Sequence, residues 1–259
     1  MKTILVLATL LCAFTIAQAR EPIVIYLAGD STMAEKTADK RPETGWGEKL
    51  EGNFQPGHIK VENHAKNGRS TRSFIAEKLW QAIIEKLKKG DYVFIQFGHN
   101  DEKEGTDRYA SPTDYGVNLK RFVAEVRAKE AYPVLLTPVV RRRFDEKGEF
   151  FDTHGAYPDV VRKVAAELKV PLIDMHRLSE KVLRDYGSEP SRKLFLQLKP
   201  GENPNYPQGV EDNTHFNQVG AELMAGLAVS GIRSLKLPIA KYLLPQNRSV
   251  MSGVAAKSK

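Results

Sequence analysis

Ser31 stands at the end of an apolar, β-branched run, Ile23-Val-Ile-Tyr-Leu-Ala, in a Gly29-Asp30-Ser31 turn. A run of that kind, closed by a turn, reads as a buried strand that delivers a hydroxyl to the rim of a sheet. A serine hydroxyl is a weak nucleophile until a positioned base takes its proton, and the base works only when a third group fixes its tautomer. Asp212 and His215, three residues apart, have the types and spacing for that task. One turn of chain aims the carboxylate at one imidazole nitrogen and leaves the other to meet Ser31. Two further segments carry groups suited to developing negative charge: Asn67-Gly68-Arg69-Ser70 and Gly98-His99-Asn100-Asp101. Gly68 lets a backbone N–H approach closely, and Asn100 is a neutral donor that cannot deprotonate.

These segments need a scaffold, and the chain supplies one in alternation. A second strand is expected at 59–65, running into Asn67-Gly68, and a helix at 74–89 capped by Ser73, with Ile75, Leu79, Ile83 and Leu87 on one stripe. The third strand, 91–97, ends at Gly98 just as the first ends at Ser31. Ser111-Pro112 opens a helix that turns Leu119, Phe122, Val123 and Val126 inward. A strand at 133–140, a helix at 158–169, a strand at 170–173 and a helix near 177–185 follow. The strands are short continuous apolar runs, the fully buried kind. Right-handed crossovers then give an α/β three-layer sandwich, a five-stranded parallel sheet in the flavodoxin-like order 2-1-3-4-5 with helices on both faces. Residues 187–213, with four prolines and no clear period, read as a long loop, and 216–235 as the closing helix with Val219, Leu223, Leu227 and Ile232 near helical spacing.

Composition narrows the class. At 259 residues, 41% hydrophobic and 27% charged, the chain suits one globular domain with a sizeable core. Residues 1–19 read as a cleavable signal peptide: Lys2, an apolar stretch to Ile16, then Ala17-Gln18-Ala19. The segment is too short to span a membrane, and no other reaches that length. A secreted or periplasmic protein follows, with one domain over 20–240 and a flexible tail over 241–259. The only cysteine, Cys12, lies inside the signal segment, so thiol nucleophiles, thiolate metal sites and disulfides drop out of the mature chain. Without Lys2 the balance is 38 Lys and Arg against 32 Asp and Glu, an excess of +6 that favours polyanionic partners without specifying one. His58, His64, His154 and His176 show no ligand spacing, and neither Gly-x-x-x-x-Gly-Lys-Ser/Thr nor Gly-x-Gly-x-x-Gly occurs; no metal, cofactor or nucleic acid is expected. Nothing in the sequence calls for a second subunit, and a monomer is favoured.

Taken in order, Gly29-Asp-Ser-Thr-Met-Ala, Asn67-Gly-Arg-Ser-Thr-Arg-Ser, Gln96-Phe-Gly-His-Asn-Asp and Asp212-x-x-His215-Phe resemble the four blocks of the SGNH hydrolases, and their wording is most like the rhamnogalacturonan acetylesterase branch. The order Ser, Asp, His is shared with α/β hydrolases, yet the Gly-x-Ser-x-Gly elbow of that class is missing. The resemblance implies Ser31, Asp212 and His215 as catalytic residues, and the backbone N–H groups of Ser31 and Gly68 with the Asn100 side chain as the oxyanion hole. It implies a metal-independent esterase whose partner is an acetylated plant polysaccharide. His99, Trp46 and Arg141 are candidate substrate contacts, each with a structural alternative: His99 equally as a prop behind the site, Trp46 by stacking on a sugar or as a packing anchor between Gly45 and Gly47, and Arg141 by pairing with a galacturonate carboxylate or as part of a solvated basic loop over Arg141 to Arg143. A lipase- or thioesterase-like acyl hydrolase, and an inactive protein that only binds pectic sugars, are the rival readings.

Overall fold

The computed structural model describes residues 21–245; the expected signal segment and residues 246–259 of the expected tail lie outside them. Five parallel strands, β1 (Ile23–Gly29), β2 (Ile59–Asn63), β3 (Tyr92–Gln96), β4 (Tyr132–Leu136) and β5 (Leu172–Ile173), pair in the order β2-β1-β3-β4-β5. Strand alternation sorts the core into two layers. Ile25 and Leu27 of β1, Tyr92 and Phe94 of β3, and Val134 and Leu136 of β4 bury one face of the sheet. Helices α5 (Met175–Tyr186) and α7 (Gln218–Ser234) cover that face, with Trp46 packed beside them. Tyr26, Ala28, Val93, Ile95 and Leu135 point the other way, under α1 (Thr71–Ala76), α2 (Leu79–Lys86), α3 (Pro112–Ala128) and α4 (Tyr157–Leu168). Burial on both sides explains why β1, β3 and β4 read as unbroken apolar runs, while the edge strand β2 alternates and leaves Lys60 exposed.

The topology fixes where chemistry can occur. With β1 between β2 and β3, the chain leaves β1 and β3 toward opposite faces, and a crevice opens at their carboxyl ends. Gly29 pairs with Gln96 in register, so the turns carrying Ser31 and Gly98-His99-Asn100 emerge side by side. The Lys66 N–H donates to the Gly29 carbonyl at 3.0 Å, which brings Asn67-Gly68 to the same rim.

Several expectations are corrected. The helix at 74–89 is two helices, separated where Lys78 adopts a left-handed backbone (φ 58°), and the cap of the first is Ser70, whose Oγ accepts from the Ser73 N–H at 3.1 Å. The break shifts the helical phase, so Phe74, Trp80 and Ile83 form the buried stripe while Ile75 and Leu79 are only partly covered. The loop at 187–213 holds a short helix, α6 (Ser188–Ser191), and β6 (Phe195–Leu198), which pairs antiparallel with β7 (Val210–Phe216). This separate ribbon carries Asp212 and His215. The closing helix begins two residues later than expected, capped by the Asn217 side chain, and Val219 faces solvent at 57% exposure. At the other end, Leu243 is buried and bridges Phe54, so ordered packing runs past residue 240.

Candidate active site

Ser31 follows β1 in a turn held by Asp30. One carboxylate oxygen of Asp30 accepts from the Thr32 N–H at 3.0 Å and the Thr32 hydroxyl at 2.8 Å. Behind Thr32 the hydroxyl oxygen accepts from Gln96 at 2.8 Å, and Gln96 in turn accepts from the Trp46 indole N–H at 3.1 Å. Trp46 is therefore a structural anchor, 0% exposed, and does not reach the cavity; the sugar-stacking expectation is corrected. Its neighbour must be glycine, because a Cβ at Gly45 would stand 2.0 Å from the Ala34 carbonyl oxygen. Backbone thus packs directly on backbone behind the serine turn.

From the facing ribbon, His215 reaches in. Its Nε2 lies 2.8 Å from Ser31 Oγ, and its Nδ1 lies 2.6 Å from Asp212 Oδ2. The other oxygen of Asp212 accepts the backbone N–H groups of Thr214 (2.7 Å) and His215 (3.0 Å). Burial alone would raise the Asp212 pKa; the hydrogen bond and charge of His215, with those two N–H donors, bring it down to about 2. Asp212 is then an anion at any working pH. It holds the Nδ1 proton and leaves Nε2 as acceptor toward Ser31. The ribbon is tied to the main sheet by the Arg142 N–H donating to the Asn213 carbonyl (2.8 Å) and the Thr44 N–H donating to the Phe216 carbonyl (2.9 Å).

Across the cavity sit the expected donors. Gly68 has φ +76°, a left-handed turn that glycine adopts without strain. Among the described residues, neither the Ser31 nor the Gly68 backbone N–H donates to another protein group. The Asn100 amide donates to the Arg69 carbonyl at 3.0 Å and accepts from Lys103 Nζ at 3.2 Å, which leaves one of its two N–H bonds for a ligand. Ser31, Gly68, Asn100 and His215 line one cavity of about 430 Å³ together with Glu43, Asn67, His99, Lys103, Arg108, Arg141 and Thr214. Among the described residues, no aliphatic or aromatic hydrocarbon side chain contributes to that lining.

His99 forms part of the floor but is only 3% exposed. Burial, opposed by Asp30, lowers its pKa to about 4, so the ring is neutral beside an ionised Asp30 whose Oδ2 lies 3.4 Å from Nδ1. Its place is support for the serine turn. Arg141 reaches the cavity wall, yet it is ion-paired with Glu102 and donates to the His99 carbonyl at 3.3 Å and to Thr153 Oγ1 at 3.1 Å. Lys36 escaped sequence reasoning, as did the cavity-lining Lys103 and Arg108. Lys36, buried with no exposed side-chain surface, places Nζ 2.5 Å from the Ser31 carbonyl oxygen, 2.7 Å from Asn67 Oδ1 and 2.8 Å from Glu43 Oε1. It is a strut between the two turns that present the backbone donors.

Asp101, next to Asn100, is fully buried. Thr71 donates its N–H (2.9 Å) and hydroxyl (2.5 Å) to Oδ1, while Oδ2 finds no partner among the described residues. Burial outweighs the Thr71 hydrogen bonds and raises this carboxyl from 3.8 to about 7. The folded state then holds a proton that the unfolded chain has released, so this group subtracts stability as pH rises from about 4 to about 7. Asp30 and Asp212, lowered to about 2, act oppositely and only below about pH 4. His99, lowered to about 4 by burial, opposes Asp101 between about pH 4 and 6.5, where the unfolded chain binds a proton that the folded state does not. Urea midpoints measured across pH 4–7 are therefore expected to rise more with pH in Asp101→Asn than in the intact protein, and equal slopes in both would refute the assignment.

A carboxylate, an imidazole and a hydroxyl aligned over a cavity at the carboxyl rim of a parallel sheet define a serine acyl hydrolase, and the chain's relatives narrow the class to a carboxylic ester hydrolase. The chain belongs to the GDSL-like Lipase/Acylhydrolase family, which it matches over residues 27–223. It is 44% identical to rhamnogalacturonan acetylesterase RhgT of Bacillus subtilis across 87% of this chain and 96% of that protein. Identity to the probable rhamnogalacturonan acetylesterase YesY of the same organism is 38%, over 86% and 98%. Among solved structures, Bacillus subtilis YxiM superposes with a TM-score of 0.72 at 27% identity over 83% of this chain, which spans 57% of that one. The acetylxylan esterase Axe2 of Geobacillus stearothermophilus shares the fold at 20% identity, with a TM-score of 0.59 over 83% of this chain and 95% of that one.

Proposed function

We propose that the protein is an exported carbohydrate acetylesterase that removes acetyl groups from rhamnogalacturonan through an acetyl-enzyme on Ser31. The observation that carries the mechanism is the unbroken relay from Asp212 through His215 to Ser31, at 2.6 and 2.8 Å, facing the Ser31 and Gly68 N–H groups, which donate to no other group among the described residues. Ser31 Oγ attacks the acetyl carbonyl carbon as His215 Nε2 takes the hydroxyl proton. The oxyanion that forms is held by the N–H groups of Ser31, Gly68 and Asn100. Collapse breaks the bond to the sugar oxygen, which leaves with the proton from His215. Water, deprotonated by the same nitrogen, then attacks the acetyl-serine; acetate departs and Ser31 regains its proton.

The polar lining supports a short acyl group, since a long acyl chain needs an apolar channel to leave water. The rhamnogalacturonan assignment is supported by the two Bacillus relatives, similar over nearly their full length. Acetate release from acetylated rhamnogalacturonan, xylan and homogalacturonan tests it. The first is expected to be cleaved with at least about tenfold higher kcat/KM; equal or faster release from xylan would overturn the polymer assignment while leaving the ester chemistry intact.

A further inference from the structure

The cavity carries more positive charge than its own carboxylates neutralise. Of its charged lining residues, Glu43 is paired with Lys36 and Arg141 with Glu102. Lys103 and Arg108 have no carboxylate within salt-bridge distance among the described residues. Their own acidic neighbours do not fill that role: Glu102 is committed to Arg141 and His154, and among the described residues neither Glu104 nor Asp107 comes within salt-bridge distance of either cation. The loop that presents them is built rather than loose. The Arg108 N–H donates to Thr106 Oγ1 (3.3 Å), whose hydroxyl donates to the Lys103 carbonyl (2.8 Å). The Ala110 N–H donates to the Asp101 carbonyl (3.0 Å), and the Ala110 carbonyl accepts from the Tyr157 hydroxyl (2.8 Å).

Arg108 is aimed. A Cβ placed on Gly68 would stand 3.5, 3.6 and 3.8 Å from its Nη1, Cζ and Nη2, so the guanidinium lies across that glycine, beside the expected oxyanion donors. Lys103 meets it from the Asn100 side. Burial, and after it the like charges of Arg108 and Arg141, lower the Lys103 ammonium below the ordinary lysine value. Cations that repel one another over an open cavity are stabilised by an anion entering between them.

We propose that Arg108, assisted by Lys103, forms a carboxylate subsite that seats a uronic-acid residue of the chain whose acetyl group lies on Ser31. The inference rests on the acetylesterase reading for the place of the acetyl group, and the carboxylate is the only added requirement. A planar guanidinium suits a carboxylate because two parallel N–H bonds match its two oxygens. The subsite would make the enzyme select acetylated acidic polysaccharides over neutral ones.

The test is inhibition of small acetate-ester hydrolysis by an unacetylated galacturonate trisaccharide and by its methyl-esterified form. The intact enzyme is expected to bind the acidic form about tenfold to a hundredfold more tightly, with a preference that shrinks as salt rises. Arg108→Gln should erase the preference, and Arg108→Lys, which keeps the charge but not the fork, should retain part of it. An intact enzyme without preference, or Arg108→Gln with the preference undiminished, overturns the subsite. Failure to release acetate from rhamnogalacturonan with the preference intact would instead retain the subsite and move the substrate to another acidic polymer.

Discussion

Ser31→Ala is expected to lower kcat for a small acetate ester by about 10⁴- to 10⁶-fold, the range that loss of the nucleophile produces in serine hydrolases. The fold should survive. Ser31 Oγ makes its side-chain hydrogen bond to His215, and removing it leaves Nε2 facing an open cavity in which water replaces the hydroxyl. The Asp212–His215 bond at 2.6 Å and the two backbone donors to Asp212 remain, so the base stays oriented with nothing to deprotonate. Because hydroxyl and imidazole act as one unit, Ser31→Ala/His215→Ala should be no slower than Ser31→Ala alone within a fewfold. Losses that multiply would mean that His215 acts without Ser31. A Ser31→Ala enzyme that kept a tenth of its activity would exclude the acetyl-enzyme. Single-turnover kinetics with thermal melts of both proteins distinguish lost chemistry from lost structure.

Sequence carried the sheet further than it carried the site's surroundings. Strands β1, β3 and β4 were legible because each is buried on both faces, and burial on both faces leaves a continuous apolar run, whereas the edge strand β2 exposes Lys60 and reads as an alternation. Ser31, Gly68, Asn100, Asp212 and His215 were legible as a set because each sits in a short block whose neighbours also build its turn. The ribbon was not, because β6 and β7 are only partly buried and lack both a continuous run and a clean alternation. Trp46 stayed open between stacking and packing because an aromatic flanked by glycines looks the same whether the glycines free a loop or let backbone pack on backbone; only the 2.0 Å approach to Ala34 decides for the packing anchor. The break at Lys78 left no Gly or Pro as a marker. Lys36 and Arg108 were hidden for a simpler reason. Lysine and arginine are ordinarily surface residues, and what sets these two apart is the distance to groups tens of residues away in sequence.

Lys36→Met is expected to lower kcat by about a hundredfold with little change in KM, and to destabilise the fold by about 3–5 kcal/mol. The ammonium is the shared partner of the Ser31 carbonyl, the Asn67 side chain and the Glu43 carboxylate, at 2.5, 2.7 and 2.8 Å. Methionine matches the stem but satisfies none of the three, and a buried acceptor or carboxylate left unpaired carries its full desolvation cost. The kinetic effect has a separate origin. The Ser31 and Gly68 N–H groups belong to two different turns, and Lys36 is a direct polar link between them that does not itself line the cavity. Once the link is lost the donors no longer hold a common focus, and a displaced oxyanion donor costs about a hundredfold to a thousandfold in kcat. Lys36→Met/Glu43→Gln separates the two effects, since neutralising Glu43 removes the unpaired buried charge without restoring the strut. Recovered stability with kcat still depressed assigns Lys36 to positioning the oxyanion donors. Recovery of both together would reduce it to charge compensation for Glu43, and the spacing of the two turns would then be set by the β1–β2 pairing alone.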